Sequence, residues 1–402
     1  MAASLKIACF LLISIVQLGH SKDIGRNSVD SKQNIEDDKL IFSHTLCRHG
    51  DRNIHSSFPN DPWKSLEHWP YGGYACLTNI GRQQQFKLGQ YFRQRYSSLL
   101  GDGNYSQNSI YVRSTNVDRV LKSAKANLAG LYCQAENQEW NENIEEHISI
   151  PEIHTQPLAN DYVLASEKRC DHFDYMMFEH MNSAEIKGIF KKYKSLIRYL
   201  EENSGKKLPT LTDINVLYDT LFIEQLKGKR LPSWADEVMN EGGNFEYLMH
   251  YYFQMFTPNN EMKKIKSGFL LKEILDRFTN KTQSTLSLNR SLYLYFAHDI
   301  TISNMLNSLG LFKLHQPPYS SCVFFELYQA DDHAHYLQLF YKNSTATDFP
   351  ALEIPACGTK CPLEKMYELY HDIIPTQSFE KECELRDGEI LPASGSIENN
   401  SL

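Results

Sequence analysis

Two arginines flank one histidine in Arg48-His49-Gly50-Asp51-Arg52, at the end of the strand-like run from Lys39 to Arg48. Guanidiniums converging on one point want an oxyanion, and phosphate matches their forked geometry best. A histidine held between them is then either a phosphate ligand or a nucleophile that attacks phosphorus. Gly50 allows a sharp turn, and the carboxyl ends of strands are where open α/β sheets bind ligands. Arg-His-Gly alone is a coincidence of three residues, and a lone histidine is more often structural than catalytic. Three further segments shift that balance. Tyr111-Val-Arg-Ser-Thr-Asn-Val-Asp-Arg119 puts Arg113 just after a short β-prone run. Leu292-Tyr-Leu-Tyr-Phe-Ala-His-Asp-Ile-Thr301 is a second buried-strand pattern, ending in His298-Asp299. Pro355-Ala-Cys-Gly-Thr-Lys-Cys-Pro362 lies near the C-terminus.

The elements that must carry these residues alternate. Lys39–Arg48 predicts a first strand. Residues 81–96 predict an amphipathic helix through Phe86, Leu88, Tyr91, Phe92 and Tyr96. Residues 109–113 predict a second strand and 116–132 a second helix. That alternation argues for an α/β fold, a mainly parallel sheet with helices on its faces. After about residue 166 the pattern turns helix-rich, over 179–202, 212–226, 233–256 and 262–281. Strand patterns return at 291–297, 321–328 and 336–341, the last two as natural partners. The reading is one discontinuous α/β domain in two pieces, 39–165 and 289–385, around an α-helical cap at 166–288.

Taken together, the motifs resemble the histidine acid phosphatase family, in its animal prostatic, lysosomal and insect-venom branch. The resemblance runs from about Lys39 to about Cys383. It includes Phe58-Pro-Asn-Asp-Pro62, Leu88-Gly-Gln-Tyr-Phe-Arg-Gln-Arg-Tyr96, Leu231-Pro-Ser-Trp234 and Pro318-Tyr-Ser-Ser-Cys322. It implies a phosphoglycerate-mutase-like three-layer core. It also implies acid phosphomonoester hydrolysis through phosphohistidine, with no cofactor. Carried onto this chain, His49 is the nucleophile and Asp299 the general acid. Arg48, Arg52, Arg113 and His298 bind the phosphoryl oxygens. One departure falls inside the first motif: where the family usually has proline, this chain has Ile54, which puts the rigidity of that loop in doubt. Arg119 is expected to pair with a carboxylate rather than with substrate. His44, on the opposite face of the strand from His49, is expected to be structural, and no role is assigned to His55, His68, His315, His333 or His335.

The chain ends set the compartment. Lys6, the apolar stretch from Ile7 to Val16 and Gly19-His20-Ser21 predict a signal peptide at 1–21, followed by a polar arm at 22–38. The last residues, 386–402, form a polar tail that cannot span a membrane, so no span is expected in the mature chain. Asn104, Asn280, Asn289, Asn343 and Asn399 each begin an Asn-x-Ser/Thr triplet, which suits a glycosylated secretory protein. The expected location is outside the cell or in the secretory or lysosomal lumen. The net charge of -8, with no basic block, argues against nucleic acid and anionic membranes as partners.

Eight cysteines follow the signal peptide: Cys47, Cys76, Cys133, Cys170, Cys322, Cys357, Cys361 and Cys383. Cys357 and Cys361 have a spacing that a zinc knuckle allows, but no second close Cys/His pair accompanies them, so a disulfide is favoured. No cluster with metal spacing appears elsewhere, and no metal is expected. The resemblance pairs Cys357 with Cys361 and Cys170 with Cys383. It leaves Cys322 without its partner, and Cys47 is expected to be a buried free thiol. A homodimer is also implied, through an edge strand at Tyr336–Tyr341 whose open backbone a second subunit would cover. Two other functions stay open: a phytase-like inositol polyphosphate phosphatase, and a catalytically silent binding protein on the same fold. The substrate is expected to be a small-molecule or protein phosphomonoester.

Overall fold

The structure, a computed structural model, describes residues 38–101, 109–133, 151–286, 288 and 290–391. The signal peptide at 1–21, residues 22–37 of the polar arm, Asn104, Asn289, Asn399 and residues 392–402 of the tail lie outside these. Asn280 and Asn343 lie within them and are exposed.

The described chain is built on a seven-stranded sheet ordered β3-β2-β4-β1-β5-β6-β7. The strands are β1 (Lys39–Arg48), β2 (Ile110–Ser114), β3 (Ile153–His154), β4 (Leu292–Ala297), β5 (Cys322–Gln329), β6 (His335–Lys342) and β7 (Cys361–Pro362). β3, β2, β4 and β1 run parallel, and β5, β6 and β7 then alternate in direction. β1 and β4 are far apart in the chain yet lie side by side, with Arg48 opposite Ala297. That register carries His49 and His298 off the same edge of the sheet.

Burial on both faces explains the near-continuous apolar strands. One face packs Phe42, Leu46, Tyr295 and Phe325 against the helices Phe269–Thr282 and Asp299–Ser308. Thus the last helix within 166–288 sits on the sheet. The other face packs Val112, Leu294, Phe296 and Phe324 against the helices Asn79–Arg95 and Asp118–Tyr132. Those two helices touch backbone to backbone at Gly89, where a Cβ would lie 1.9 Å from the Asn127 carbonyl oxygen. A third apolar cluster, with Phe173, Leu200, Leu211, Leu217, Phe245 and Leu248, is the core of the helix-rich segment.

Two of the sequence expectations are corrected here. Cys47 is not a free thiol: it is bridged to Cys322. The two cysteines face each other across the β1–β5 ladder with Cα atoms 4.1 Å apart, a pairing that only the register of distant strands creates. Cys170–Cys383 and Cys357–Cys361 are also bridged, and Cys76 carries a free thiol. The second correction concerns β6, which is not an open edge. β7 pairs with its Tyr336 and Leu337, and Leu352 donates to the Leu339 carbonyl at 2.7 Å. The C-terminal segment of the same chain therefore covers much of that backbone. No helix of the described residues is long and apolar enough to cross a membrane.

Candidate active site

β1 delivers Arg48 and His49 into a turn whose backbone is fully committed. Arg48 N–H donates to Ser321 O (2.8 Å), His49 N–H to Ala297 O (3.1 Å), and Ser320 N–H to His49 O (3.0 Å). Gly50 follows because the chain presses on the start of the Asn79–Arg95 helix. A Cβ there would meet the Gly81 carbonyl oxygen at 2.3 Å.

His49 is 1 % exposed. Its Nδ1 lies 2.8 Å from the Gly50 carbonyl oxygen, which can only accept, so the proton sits on Nδ1. Nε2 is therefore the lone-pair nitrogen, and Arg119 Nε donates to it at 3.2 Å. Burial, then the charges of Arg119 and Arg48, hold the imidazole well below its ordinary pKa. A neutral, oriented imidazole stands among guanidiniums.

Arg119 is a correction. It does not turn to a carboxylate side chain; it enters the site from the first turn of the Asp118–Tyr132 helix, beside Ser123, which accepts from Gly50 N–H at 3.0 Å. Arg113 is the reverse correction. Its Nη2 donates to Asp161 Oδ1 at 3.1 Å, with Glu273 3.8 Å from Nη1. Its neighbours are Tyr295 and the buried polar group around Arg277 and His44. Alternation along β2 decides this: Arg113 lies opposite Tyr295, whose ring packs in the apolar layer on the other face of the sheet from the Asp118–Tyr132 helix.

The other assigned residues do converge. Arg48 Nη2 lies 2.6 Å from Asp299 Oδ2, Nη1 donates to the Pro317 carbonyl, and the guanidinium stacks 4.2 Å over the Tyr319 ring. Arg52 makes a two-pronged pair with Asp219 at 3.0 and 3.1 Å. The rings of His49 and His298 are 5.7 Å apart, and His298 Nε2 meets Thr115 Oγ1 at 3.1 Å. Burial, followed by Arg119, pushes His298 down to about 3, so it too is neutral. For Asp299, burial opposes ionisation, but Arg48 and Arg52 outweigh it and hold the carboxyl below its ordinary value. The buried Nε–H groups of Arg48 and Arg52 have no hydrogen-bond partner. Three guanidiniums thus face two carboxylates, a surplus that suits one phosphoryl group.

Tyr319, Asp219, Thr115 and His55 were not singled out by their sequence context for these positions. His55 is exposed on the loop after Arg52. The one available signal for Arg119 was its place at a helix start just beyond the end of a parallel strand, where sheets of this kind gather ligand groups. Among the described residues, no group of His, Cys, Asp or Glu is arranged to hold a metal ion.

The sequence profile of the histidine phosphatase superfamily (branch 2) matches residues 39–342. The chain is 33% identical to bovine prostatic acid phosphatase over 389 residues, covering 96% of this chain and 95% of the relative. It is 34% identical to rat lysosomal acid phosphatase over 365 residues, 88% of this chain and 83% of the relative. In fold it is similar to the Hafnia alvei phytase solved with myo-inositol hexakis sulphate, at a TM-score of 0.63 and 16% identity. That match covers 87% of this chain and 99% of the phytase. With the family profile spanning most of the chain and these relatives aligned over nearly all of it, this protein belongs to branch 2 of the histidine phosphatase superfamily.

Proposed function

We propose that this chain is an acid phosphatase that hydrolyses phosphate monoesters through a phosphohistidine at His49. The observation that carries this is the state of His49: Nδ1 locked to Gly50 O, Nε2 bearing the lone pair, and arginines on both sides. Nε2 attacks phosphorus, and the P–O bond to the leaving group breaks. Arg48, Arg52 and Arg119 hold the non-bridging oxygens, where charge-assisted bonds contribute roughly 1.5–3 kcal/mol each. Asp299 protonates the leaving oxygen. Water then attacks the phosphohistidine, Asp299 takes its proton, and inorganic phosphate leaves.

The acid preference follows from the proton inventory. In the free protein Asp299 is ionised, held so by Arg48, so the proton for the leaving group arrives with the substrate. A phosphomonoester loses its second proton near pH 6; below that it binds as the monoanion and passes the proton to Asp299. Phosphate charge beside the carboxylate favours that transfer. Above it, turnover falls. The surplus of positive charge at the pocket is matched to one phosphoryl group, which favours this reading over a polyphosphate substrate.

The N-terminal pattern, the three disulfides and the exposed Asn280 and Asn343 support a secreted or lysosomal glycoprotein. A homodimer remains part of the proposal on the resemblance alone, because the covered edge of β6 no longer argues for it. Light scattering on deglycosylated protein checks this, with twice the chain mass expected. The test of mechanism is trapping: brief acid-pH turnover of a labelled monoester, followed by alkaline quench, should leave label on His49, and His49→Ala should abolish both label and activity. Label on serine or cysteine would sink the reading.

A further inference from the structure

The segment after the Arg48–Arg52 motif is fastened to a single helix, Leu211–Leu226, at successive points. Arg52 pairs with Asp219. Ile54 packs on Ile223 and Trp69. Thr220 Oγ1 donates to Ser56 O at 2.9 Å. Asp51 pairs with Lys227 just beyond the helix end. The last fastening is Asp61 against Glu224, and it joins two acids.

Glu224 is 0 % exposed and Asp61 2 %. Asp61 has donors for both oxygens: Ser57 Oγ at 2.6 Å on Oδ2 and Trp63 N–H at 2.6 Å on Oδ1. Neither carboxyl oxygen of Glu224 receives any N–H or O–H. Two buried carboxylates that interact at close range disfavour a second charge, and Glu224, which has no donors, is the one that keeps a proton. A protonated Glu224 can then donate to Asp61, and the contact closes.

Resting on the phosphatase reading above, we propose that a protonated Glu224 and Asp61 are a positioning pair for the phosphate clamp. Their shared proton clasps the segment behind Arg52 to the helix that holds Arg52, and loss of that proton loosens the grip on phosphate. The charged groups facing the pair are Asp61 itself, which favours the proton, and Lys229, which opposes it from above the Trp63 and Trp69 rings. Burial, followed by Asp61, pushes Glu224 up to about 9. The clasp is therefore shut throughout the acid and neutral range and opens on the alkaline side.

The test uses sulfate, whose charge is constant over the range, titrated into the whole protein from pH 5 to 9.5. The variants are Glu224→Gln and Asp61→Asn, each of which places a permanent N–H donor in the contact. Wild type and Glu224→Gln should bind sulfate equally at pH 5–7, with the variant severalfold tighter at pH 9.5. Asp61→Asn should likewise flatten the alkaline loss. Tryptophan fluorescence, read without ligand, should show an alkaline transition in wild type that both variants lack. Identical alkaline behaviour in wild type and Glu224→Gln would overturn the clasp. Absence of sulfate binding at pH 5 in every protein would instead count against the phosphatase reading, and the fluorescence comparison would still decide the clasp.

Discussion

Arg119 donates to His49 Nε2, the nitrogen that the proposed mechanism brings to phosphorus, so on that mechanism it is the first group a phosphate displaces. On the same mechanism the guanidinium keeps Nε2 unprotonated and aimed before substrate arrives and then turns to a phosphoryl oxygen. Burial, then Arg52, lowers Arg119 only to about 10, so it stays charged at working pH. Arg119→Ala should cost about 100-fold or more in kcat/KM, on the order of 3 kcal/mol of transition-state binding. Arg113→Ala should leave kcat/KM within about threefold and instead lower the melting temperature. It strips a partner from buried Asp161, a loss on the order of 3 kcal/mol. Steady-state kinetics and thermal melts on both variants separate the two roles, and the opposite pattern would restore Arg113 to the site. The sequence motif showed both arginines but not which one turns in. Strand alternation and a helix start decide that, and both depend on a sheet whose register no local pattern specifies. That Arg48, His49, His298 and Asp299 gather at one edge of the sheet was legible because each lies at or just beyond the end of a strand.

At the scale of elements, the strands and helices that frame the site were legible from period alone. β1, β4 and the helices Asn79–Arg95 and Asp118–Tyr132 lie within a few residues of their expected limits. Pairings between remote elements were not. Cys47 and Cys322 meet because β5 returns antiparallel to β1, and β6 is covered because the chain comes back through Ala351 and Cys361. The contact of the two helices at Gly89 was equally hidden. Gly89→Ala inserts a methyl into the Asn127 backbone, and overpacking of this kind costs about 1–3 kcal/mol. The melting temperature should drop by several degrees, with activity per folded molecule kept at low temperature. An unchanged melting temperature would mean that the helices can part without penalty.

Across the whole molecule, buried titratable groups set the pH dependence of stability in opposite directions. His44, His49 and His298 are buried and held below their ordinary value, chiefly by burial. Between pH 6.5 and their folded values the unfolded chain binds protons that the folded chain does not. Stability therefore falls with falling pH in that window, by up to about 1.4 kcal/mol per unit for each group. Glu224 runs the other way: raised in the fold, it contributes most stability below the ordinary glutamate range and loses it as pH rises toward about 9. Melting temperatures of the ligand-free protein should thus decline from pH 7 to pH 4.5. His44→Gln, which removes a histidine outside the site, should make that acid limb shallower. Bound phosphate should offset the decline, since it stabilises only the folded form. A flat profile below pH 6.5 would contradict the buried neutral histidines.

The Cys47–Cys322 bridge has a further meaning. Cys47 stands two residues before His49, and Cys322 directly follows Ser320 and Ser321, whose backbone grips His49 and Arg48. The staple thus encloses the reacting turn itself. A copy of this chain stranded in the reducing cytosol would be made without it, and the arginine pocket would be assembled on two strands held by hydrogen bonds and packing alone. An enzyme that hydrolyses phosphate monoesters would be a hazard among cytosolic phosphometabolites. Coupling its competence to an oxidising environment would act as a safeguard, arming the enzyme only after it has left the compartment it could harm.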